Sequence, residues 1–449
     1  MNKRSIYIVV VILFLVTSGF IVLKYQNEKK ENEARIYELL PRNNSSVNYA
    51  EWITVKNNAS ALLAKISING NDLVSKLKLS GLYLQEARIS GNYTYYDMAA
   101  MKLVNDVLKK DANNFEGLTF KALIFLSQHH FAEGLAVAEQ VRQLYPYSAH
   151  VYGILTDANV ELGRYDSALV NIDRMVSIRP DLSSYSRISY QRKIHGDNEG
   201  AIEAMKLAVE AGSPGDEATE WSRIQLAKLY EHTGQVEYAK MNYTIALSNR
   251  PGYPHALAGL ARIEIAEKNY LKAIDLYKKA DSAITDFTIK EELAQAYLLN
   301  GNKEEADRLS NMILKEMIKA SQKNRSTDTS GHYSDKEIAY AYINTGIYDR
   351  ALEHAMIEYN RRPGNIDVNE TVAWVYYNKG NAEKAVMYIK EALKTNCRNP
   401  VLLCRAGLIY ASAGDKTMAK TILQDGLKNN PVISPVLRSA AQKTLQSLL

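Results

Sequence analysis

The sequence predicts an all-α chain in which helical hairpins stack into an α-solenoid, with one apolar helix near the N-terminus. Three observations support this prediction. Small residues recur with a period of about 34 residues over most of the chain. Only 10 Pro and 23 Gly occur among 449 residues, and residues 5–23 carry no charge. A chain so poor in turn-forming residues is not expected to form an all-β or collagen-like fold.

The composition also limits the classes of function. A net charge of +5 over 449 residues is too small to indicate a nucleic-acid partner. The two cysteines cannot form a disulfide framework. No phosphate-binding loop, dinucleotide fingerprint, zinc-protease motif or serine-hydrolase motif occurs in the sequence. We therefore expect no enzymatic activity, no cofactor and no metal.

Residues 5–23 are predicted to form a transmembrane anchor. As a helix they would span about 28 Å, close to the hydrocarbon core of about 30 Å. Lys3 and Arg4 precede the run and Lys24 follows it. A cleaved signal peptide is the alternative, but apolar residues continue past the small residues 17–19 that could form a cleavage site. The chain is expected to contact the lipid bilayer through this segment.

The charges beside the anchor suggest its orientation. Lys3 and Arg4 favour a cytoplasmic N-terminus, which places the soluble part on the exported, periplasmic or extracellular, side. Lys24, Lys29 and Lys30 on the other flank oppose this orientation. Residues 24–49 are polar and contain Pro41, and they are predicted to form a juxtamembrane linker.

The repeat is the clearest signal past residue 110. A small residue is followed about twelve positions later by Ala or Gly and, after a similar interval, often by Pro. Ala227, Ala239 and Pro251 form one such series. Turn segments with a central Gly, suited to ending a helix in the left-handed conformation, lie between the small residues. They are residues 162–169, 233–240, 300–307, 345–352, 379–386 and 413–420.

The residue types explain why such units would stack. Alanine at the crossing points lets two helices approach closely, and Pro ends the second helix of each unit. Tyrosine fills the wedge between units, which would account for much of the content of 30 Tyr. We assign a core role to Tyr230, Tyr297, Tyr342, Tyr376 and Tyr410.

This pattern resembles the tetratricopeptide repeat (TPR), a helix–turn–helix unit of about 34 residues. The resemblance covers about nine to ten units. It implies a first repeat block over residues 50–318, a polar loop over 319–334, a second block over 335–433 and a C-terminal capping helix over 434–449. The polar loop is expected to be irregular because it shows no apolar period.

Two small groups of reactive residues have structural interpretations. His129 and His130 lie in a predicted turn, where we expect them to be solvated rather than to bind metal. Cys397 and Cys404 flank a turn between units without a His partner, so their spacing does not match a zinc site. A disulfide between them remains an alternative if the domain is exported.

The resemblance implies that the first helix of each unit lines a concave groove that binds a protein or peptide. The partner-binding residues predicted for this groove are Tyr190, Lys228, Arg262, Tyr340, Trp374, Tyr377 and Asn378. Trp374, Tyr377 and Tyr340 form the richest group, since aromatic residues are frequent hot spots. The positions that hold a carboxylate in clamp-type TPRs are occupied by other residue types here.

The function predicted from the sequence is a membrane-tethered scaffold that binds a protein or peptide in the concave groove without catalysis. Two alternatives remain open. The chain could be a subunit of an envelope assembly, polysaccharide-export or secretion complex, or a regulatory arm of a separately encoded enzyme. The first alternative predicts co-purification with a channel or synthase, and the second predicts a neighbouring gene for a catalytic subunit.

Overall fold

The computed structural model describes residues 12–24, 36–42, 49–325, 331–428 and 432–449. Within these ranges the regular secondary structure consists of 23 helices and includes no strand. The prediction of an all-α solenoid is confirmed. The chain divides into two units, Met1–Leu40 and Pro41–Leu449.

The first unit contains one described helix, α1, over residues 12–24. Its apolar side chains are exposed, for example Phe14 and Phe20 at 69% and 70%. Residues 5–11 of the predicted anchor lie outside the described residues. Of the helices that are described, none combines the length and the apolar character needed to cross a bilayer. The transmembrane prediction is therefore not confirmed.

The second unit begins with α2 (Tyr49–Ile68), and ten helical hairpins follow it. The first five hairpins are α3 (Leu73–Ser90) with α4 (Tyr93–Lys110), α5 (Phe115–Ser127) with α6 (Phe131–Leu144), α7 (Ala149–Glu161) with α8 (Tyr165–Ile178), α9 (Leu182–Ile194) with α10 (Asn198–Glu210), and α11 (Glu217–His232) with α12 (Val236–Asn249).

The other five hairpins continue the row to the C-terminal helix. They are α13 (Pro254–Ala266) with α14 (Tyr270–Ala283), α15 (Phe287–Leu299) with α16 (Lys303–Arg325), α17 (Asp335–Asn344) with α18 (Tyr348–Arg361), α19 (Ile366–Asn378) with α20 (Ala382–Ala392), and α21 (Pro400–Ser412) with α22 (Lys416–Leu427). The last helix is α23 (Pro435–Ser447).

Local chemistry explains the helix boundaries. Asp72, Asn114 and Asp197 each accept a hydrogen bond from a backbone N–H in the first turn of the helix that follows. The alanines predicted at the helix crossings are buried; Ala227 and Ala239 have no exposed surface. A larger side chain at these positions would force the two helices apart.

The predicted wedge tyrosines differ in burial. Tyr230 and Tyr410 are buried at 6% and 5% exposure. Tyr297, Tyr342 and Tyr376 are half-buried. Their rings contact neighbouring helices; Tyr376, for example, stacks on Tyr388 of the next helix at 5.7 Å between ring centroids. The prediction of a packing role thus agrees with the contacts.

The structure differs from the predicted polar loop over 319–334. Helix α16 runs on to Arg325, so the first part of that segment is helical. Residues 326–330 lie outside the described residues, and residues 331–334 have no regular secondary structure. The helical continuation follows an apolar stripe that ends with Met317 and Ile318, which pack on α17.

The row of hairpins coils back on itself. Contacts join residues that lie between 193 and 205 positions apart in the sequence, which corresponds to roughly six hairpins of the repeat. The turn inside one hairpin touches the turn that joins two later hairpins. We call these contacts the inter-turn seam; its segments are residues 90–92 with 285, 128–130 with 331–333, 160–165 with 362–366, and 196 with 396.

Many of the hydrogen bonds across the seam involve backbone groups. The N–H of Thr285 donates to the Ser90 carbonyl at 2.9 Å. The N–H of Ile366 donates to the Tyr165 hydroxyl at 2.9 Å. The Asn365 side-chain amide donates to the Glu161 carbonyl at 3.0 Å. Hydrogen bonds of this kind require a fixed geometry, so two successive turns of the coil are held in register.

Arg362 is the buried cation of the seam, with its side chain 3% exposed. Its guanidinium forms an ion pair with Glu161 of the earlier turn and donates to Glu358 at 2.5 Å. The same guanidinium lies 4.8 Å from the ring centroid of Phe131. One side chain therefore joins both turns through charge and through a cation–π contact.

The structure corrects the prediction that His129 and His130 are solvated. His130 is 5% exposed, and its ring stacks on Tyr333 with 3.9 Å between centroids. A ring nitrogen of His130 donates to the Gly331 carbonyl at 2.6 Å, and one of His129 donates to the Tyr333 carbonyl at 2.8 Å. The pair lies in the seam, which brings together residues about 200 positions apart.

Candidate partner-binding site

The first helices of the hairpins form an inner layer. Neighbouring first helices touch each other from α3 through α13 and again from α17 through α21. In a coil of stacked hairpins the layer with these additional contacts faces the axis. Side chains that point away from the second helices of the hairpins therefore meet across a concave surface.

Five residues at the C-terminal end of this layer form an aromatic cluster: Tyr340 on α17, Glu370, Trp374 and Tyr377 on α19, and Arg405 on α21. Arg405 donates to the Tyr340 hydroxyl at 2.9 Å and to Glu370 at 2.7 Å. Its guanidinium lies 4.9 Å from the Trp374 ring centroid. Trp374 and Tyr377 stack at 4.9 Å with an angle of 14° between their planes.

Arg405 keeps a buried donor that is unused in this cluster. Its Nε is buried and has no hydrogen-bond partner among the described residues. Burial lowers the pKa of Arg405, but the neighbouring Tyr340 and Glu370 raise it by more, so the guanidinium stays charged. A buried donor without a partner is costly, and an acceptor from a bound partner would satisfy it.

A second group on the inner layer is a cation cluster of Lys193 on α9, Lys228 on α11 and Arg262 on α13. Arg262 forms ion pairs with Glu231 at 3.2 Å and with Glu292 at 3.3 Å. Among the described residues, neither lysine has a hydrogen-bond or ion-pair partner. The two carboxylates near the cluster, those of Glu231 and Glu292, thus form ion pairs with Arg262 and not with either lysine.

The rings beside these lysines are partly exposed. Tyr190 is 38% exposed and lies 5.5 Å from the Lys193 ammonium, while Trp221 is 41% exposed and lies 5.9 Å from the Lys228 ammonium. Burial and then the charge of Arg262 lower the pKa of Lys228 to about 8. The cation cluster is therefore enclosed by the concave surface but still open to solvent.

All seven predicted partner-binding residues lie on first helices. The structure brings Tyr340, Trp374 and Tyr377 together in the aromatic cluster. Lys228 and Arg262 lie together in the cation cluster. Asn378 differs in one respect: its side-chain amide donates to the Trp374 carbonyl of its own helix at 2.7 Å. Its donor is therefore used locally. Whether these residues bind a partner stays a prediction.

Sequence reasoning missed Arg405 and the role of Glu370. Arg405 falls outside the positions of the repeat that are expected to face the groove, and it reaches the cluster because its side chain is long. A charged Arg within an otherwise apolar helical segment, PVLLCRAGL, is the signal that could have found it. The two cysteines, Cys397 and Cys404, are both free and buried.

Two stretches of the chain match a known family. The tetratricopeptide-repeat profiles match residues 224–287 and residues 366–396. These segments are tetratricopeptide repeats. The first match begins within α11 and runs through α14, and the second contains the whole hairpin of α19 and α20. The total number of TPR units in the chain stays a prediction.

Among curated proteins, the chain is similar to Superkiller protein 3 of Saccharomyces cerevisiae, with 22% identity over 314 residues. The match covers 67% of this chain and 20% of the yeast protein. The chain thus spans about a fifth of the length of the curated relative that it matches.

Solved structures are also similar, at low identity. The human IFIT1 dimer with PPP-AAAA has 15% identity and a TM-score of 0.42, covering 75% of this chain and 89% of that chain. A TPR protein from Parabacteroides merdae ATCC 43184 has 18% identity and a TM-score of 0.33, with 59% and 98% coverage. YrrB, described as a TPR protein with an unusual peptide-binding site, has 19% identity and a TM-score of 0.23, with 43% and 93% coverage.

Proposed function

We propose that this chain is a non-catalytic scaffold that binds a protein or peptide partner at the aromatic cluster of its concave face. TPR folds are typical of protein–protein interaction. The observation that supports this particular site is the stacked pair Trp374 and Tyr377 beside a charged Arg405 with an unused donor. Tryptophan, tyrosine and arginine are the residue types most enriched at binding hot spots.

The arrangement suits an extended peptide. The stacked rings offer a flat apolar surface, and Arg405 holds Tyr340 and Glu370 in fixed positions at one side of it. Side chains that are already ordered lose little entropy when a partner binds. A carbonyl or side-chain oxygen of the peptide could accept from the free Nε of Arg405.

We expect the double substitution Trp374→Ala and Tyr377→Ala to weaken binding of a peptide partner by about a hundredfold, corresponding to roughly 3 kcal/mol. The rings would no longer supply apolar contact area. The measurement uses peptides selected from a displayed random library by the full chain, with affinities determined by calorimetry. Helical circular dichroism should be unchanged.

The matched control is Tyr238→Ala with Met241→Ala. These residues are 54% and 50% exposed on the second helix α12, away from the inner layer. The control should leave peptide affinity unchanged. Equal affinity for the selected peptides in the Trp374 and Tyr377 variant and in the native chain would refute the aromatic cluster as the site.

We also propose that residues 5–23 tether the scaffold to a membrane, with the repeats on the exported side. The uncharged run and the exposed apolar side chains of residues 12–23 support this proposal. Apolar side chains in a row are stable in lipid and unfavourable in water. The basic residues Lys3 and Arg4 support an N-terminus on the cytoplasmic side.

We expect the full chain to stay with membranes after alkaline carbonate extraction. A chain lacking residues 1–23 should be released, because the only uncharged apolar run of this length is removed. A matched variant with Leu15→Lys and Val16→Lys should behave like the deletion, since a charge at the centre of a span costs about 3 kcal/mol. Release of the full chain by carbonate would contradict the tether.

A further inference from the structure

In the cation cluster on α9, α11 and α13, positively charged side chains outnumber the neighbouring carboxylates. Lys193 and Lys228 face the concave surface without any hydrogen-bond or ion-pair partner among the described residues. Enclosed cations are normally paired. Here the neighbouring carboxylates, Glu231 and Glu292, are both bound to Arg262.

Burial and the charges of this cluster lower the pKa values of two nearby imidazoles, those of His232 and His255. Burial, followed by Lys193 and Lys228, lowers the pKa of His232 to about 3. Burial, followed by Lys228, lowers the pKa of His255 to about 4, despite the opposing effect of Asp286. Both imidazoles are therefore neutral at pH 7, and the positive charge of the cluster belongs to the two lysines and the arginine.

We propose that this part of the concave face holds an acidic segment of a polypeptide, with Lys193 and Lys228 contacting its carboxylates. The exposed rings of Tyr190 and Trp221 pack against apolar groups of the same segment. The proposal rests on the proposed function only in that the ligand is a polypeptide; it concerns different helices from the aromatic cluster. Charge complementarity selects an acidic ligand, and the two rings favour a peptide with apolar side chains between its acids.

The pH dependence of binding follows from Lys228. The groups that face it are Lys193 on α9, Glu231 and His232 on α11, Arg262 and His255 on α13, and Glu292 on α15. A carboxylate beside the ammonium favours its protonated form. Binding is therefore strongest below about pH 8, where Lys228 is charged, and weakens as the pH rises above that value.

The test uses a fluorescein-labelled peptide of alternating glutamate and leucine, with fluorescence anisotropy as the readout and the full chain as the receptor. We expect Lys228→Gln to weaken binding about tenfold, or roughly 1.4 kcal/mol, and to remove the fall in affinity between pH 7 and pH 9. The matched control is Lys206→Gln, an exposed lysine on the second helix α10, which should not change the affinity. An analogue with glutamine in place of glutamate should not bind.

Three results would overturn the proposal: unchanged affinity in Lys228→Gln, a native pH profile that is flat between pH 7 and pH 9, or tighter Lys228-dependent binding of an oligouridylate than of the peptide. If Lys228→Gln does not fold, the native pH profile decides alone.

The two proposals can be refuted separately. Binding of the library-selected peptides that survives Trp374→Ala with Tyr377→Ala refutes the aromatic cluster, whereas binding of the glutamate–leucine peptide that survives Lys228→Gln refutes this site.

Discussion

Replacing Arg362 by alanine is expected to open the coil and to destabilise the fold by about 3 kcal/mol, because it breaks a buried ion pair. Glu161 loses its partner across the seam, and Arg361 is the remaining partner of Glu358 among the described residues. Phe131 loses the guanidinium that covers its ring. Small-angle X-ray scattering should show a larger radius of gyration, and the thermal midpoint should fall.

The control for this substitution is Arg350→Ala. Arg350 is 61% exposed, and its one ion pair within the described part of the chain is with Glu353 on the same helix, so its loss should cost about 1 kcal/mol or less. It should leave the scattering profile unchanged. If Arg362→Ala and Arg350→Ala had the same small effect, the seam would contribute nothing to the closed form of the coil.

Substitution of Gly163 by alanine is expected to separate two turns of the coil. Gly163 has a φ of 73°, and an added Cβ would collide with the backbone of Gly364 in the next turn. The substitution therefore lowers the free energy of unfolding in two ways. A left-handed alanine costs about 1–2 kcal/mol, and overpacking of the seam costs roughly another 2 kcal/mol. Hydrogen exchange of residues 362–366 should accelerate.

Gly380→Ala isolates the second part of that cost. Gly380 has a φ of 76° in the equivalent turn of a later hairpin, and nothing lies within 4 Å of the added Cβ. Both variants share the backbone strain, so the difference between their thermal midpoints measures the seam. Equal midpoints would show that the two turns do not press on each other in solution.

The hairpins could be predicted from the sequence because their determinants are local. Alanine at a crossing, glycine at a turn and proline after a helix act within one unit, and the unit repeats. The end of α16 could not be placed in the same way. The polar composition of residues 319–325 suggested a loop, but the helix continues to Arg325.

The inter-turn seam could not be predicted from the sequence. Its position depends on the sum of small rotations between many hairpins, and no single residue encodes that sum. His130 and Tyr333 show the result: His130 lies in a turn that we expected to be solvated and Tyr333 in the predicted polar loop, yet their rings stack. Pairing across 193 to 205 positions has no short-range signature.

The candidate site was predictable residue by residue but not as an arrangement. The repeat register placed Trp374 and Lys228 on the inner layer, which the structure agrees with. It gave no means of finding that Arg405 reaches across to Trp374, or that Arg262 takes both nearby carboxylates and leaves Lys228 without one. Such pairings depend on side-chain reach between different hairpins.

The contacts between distant turns also bear on how the chain is made. An array with nearest-neighbour contacts alone can form unit by unit as it leaves the ribosome. Here the partner of Ser90 is Thr285, and the partner of Tyr165 is Ile366. The early hairpins must wait for about 200 further residues before their polar edges are covered, so synthesis passes through a long interval in which a nascent chain presents those edges to chaperones.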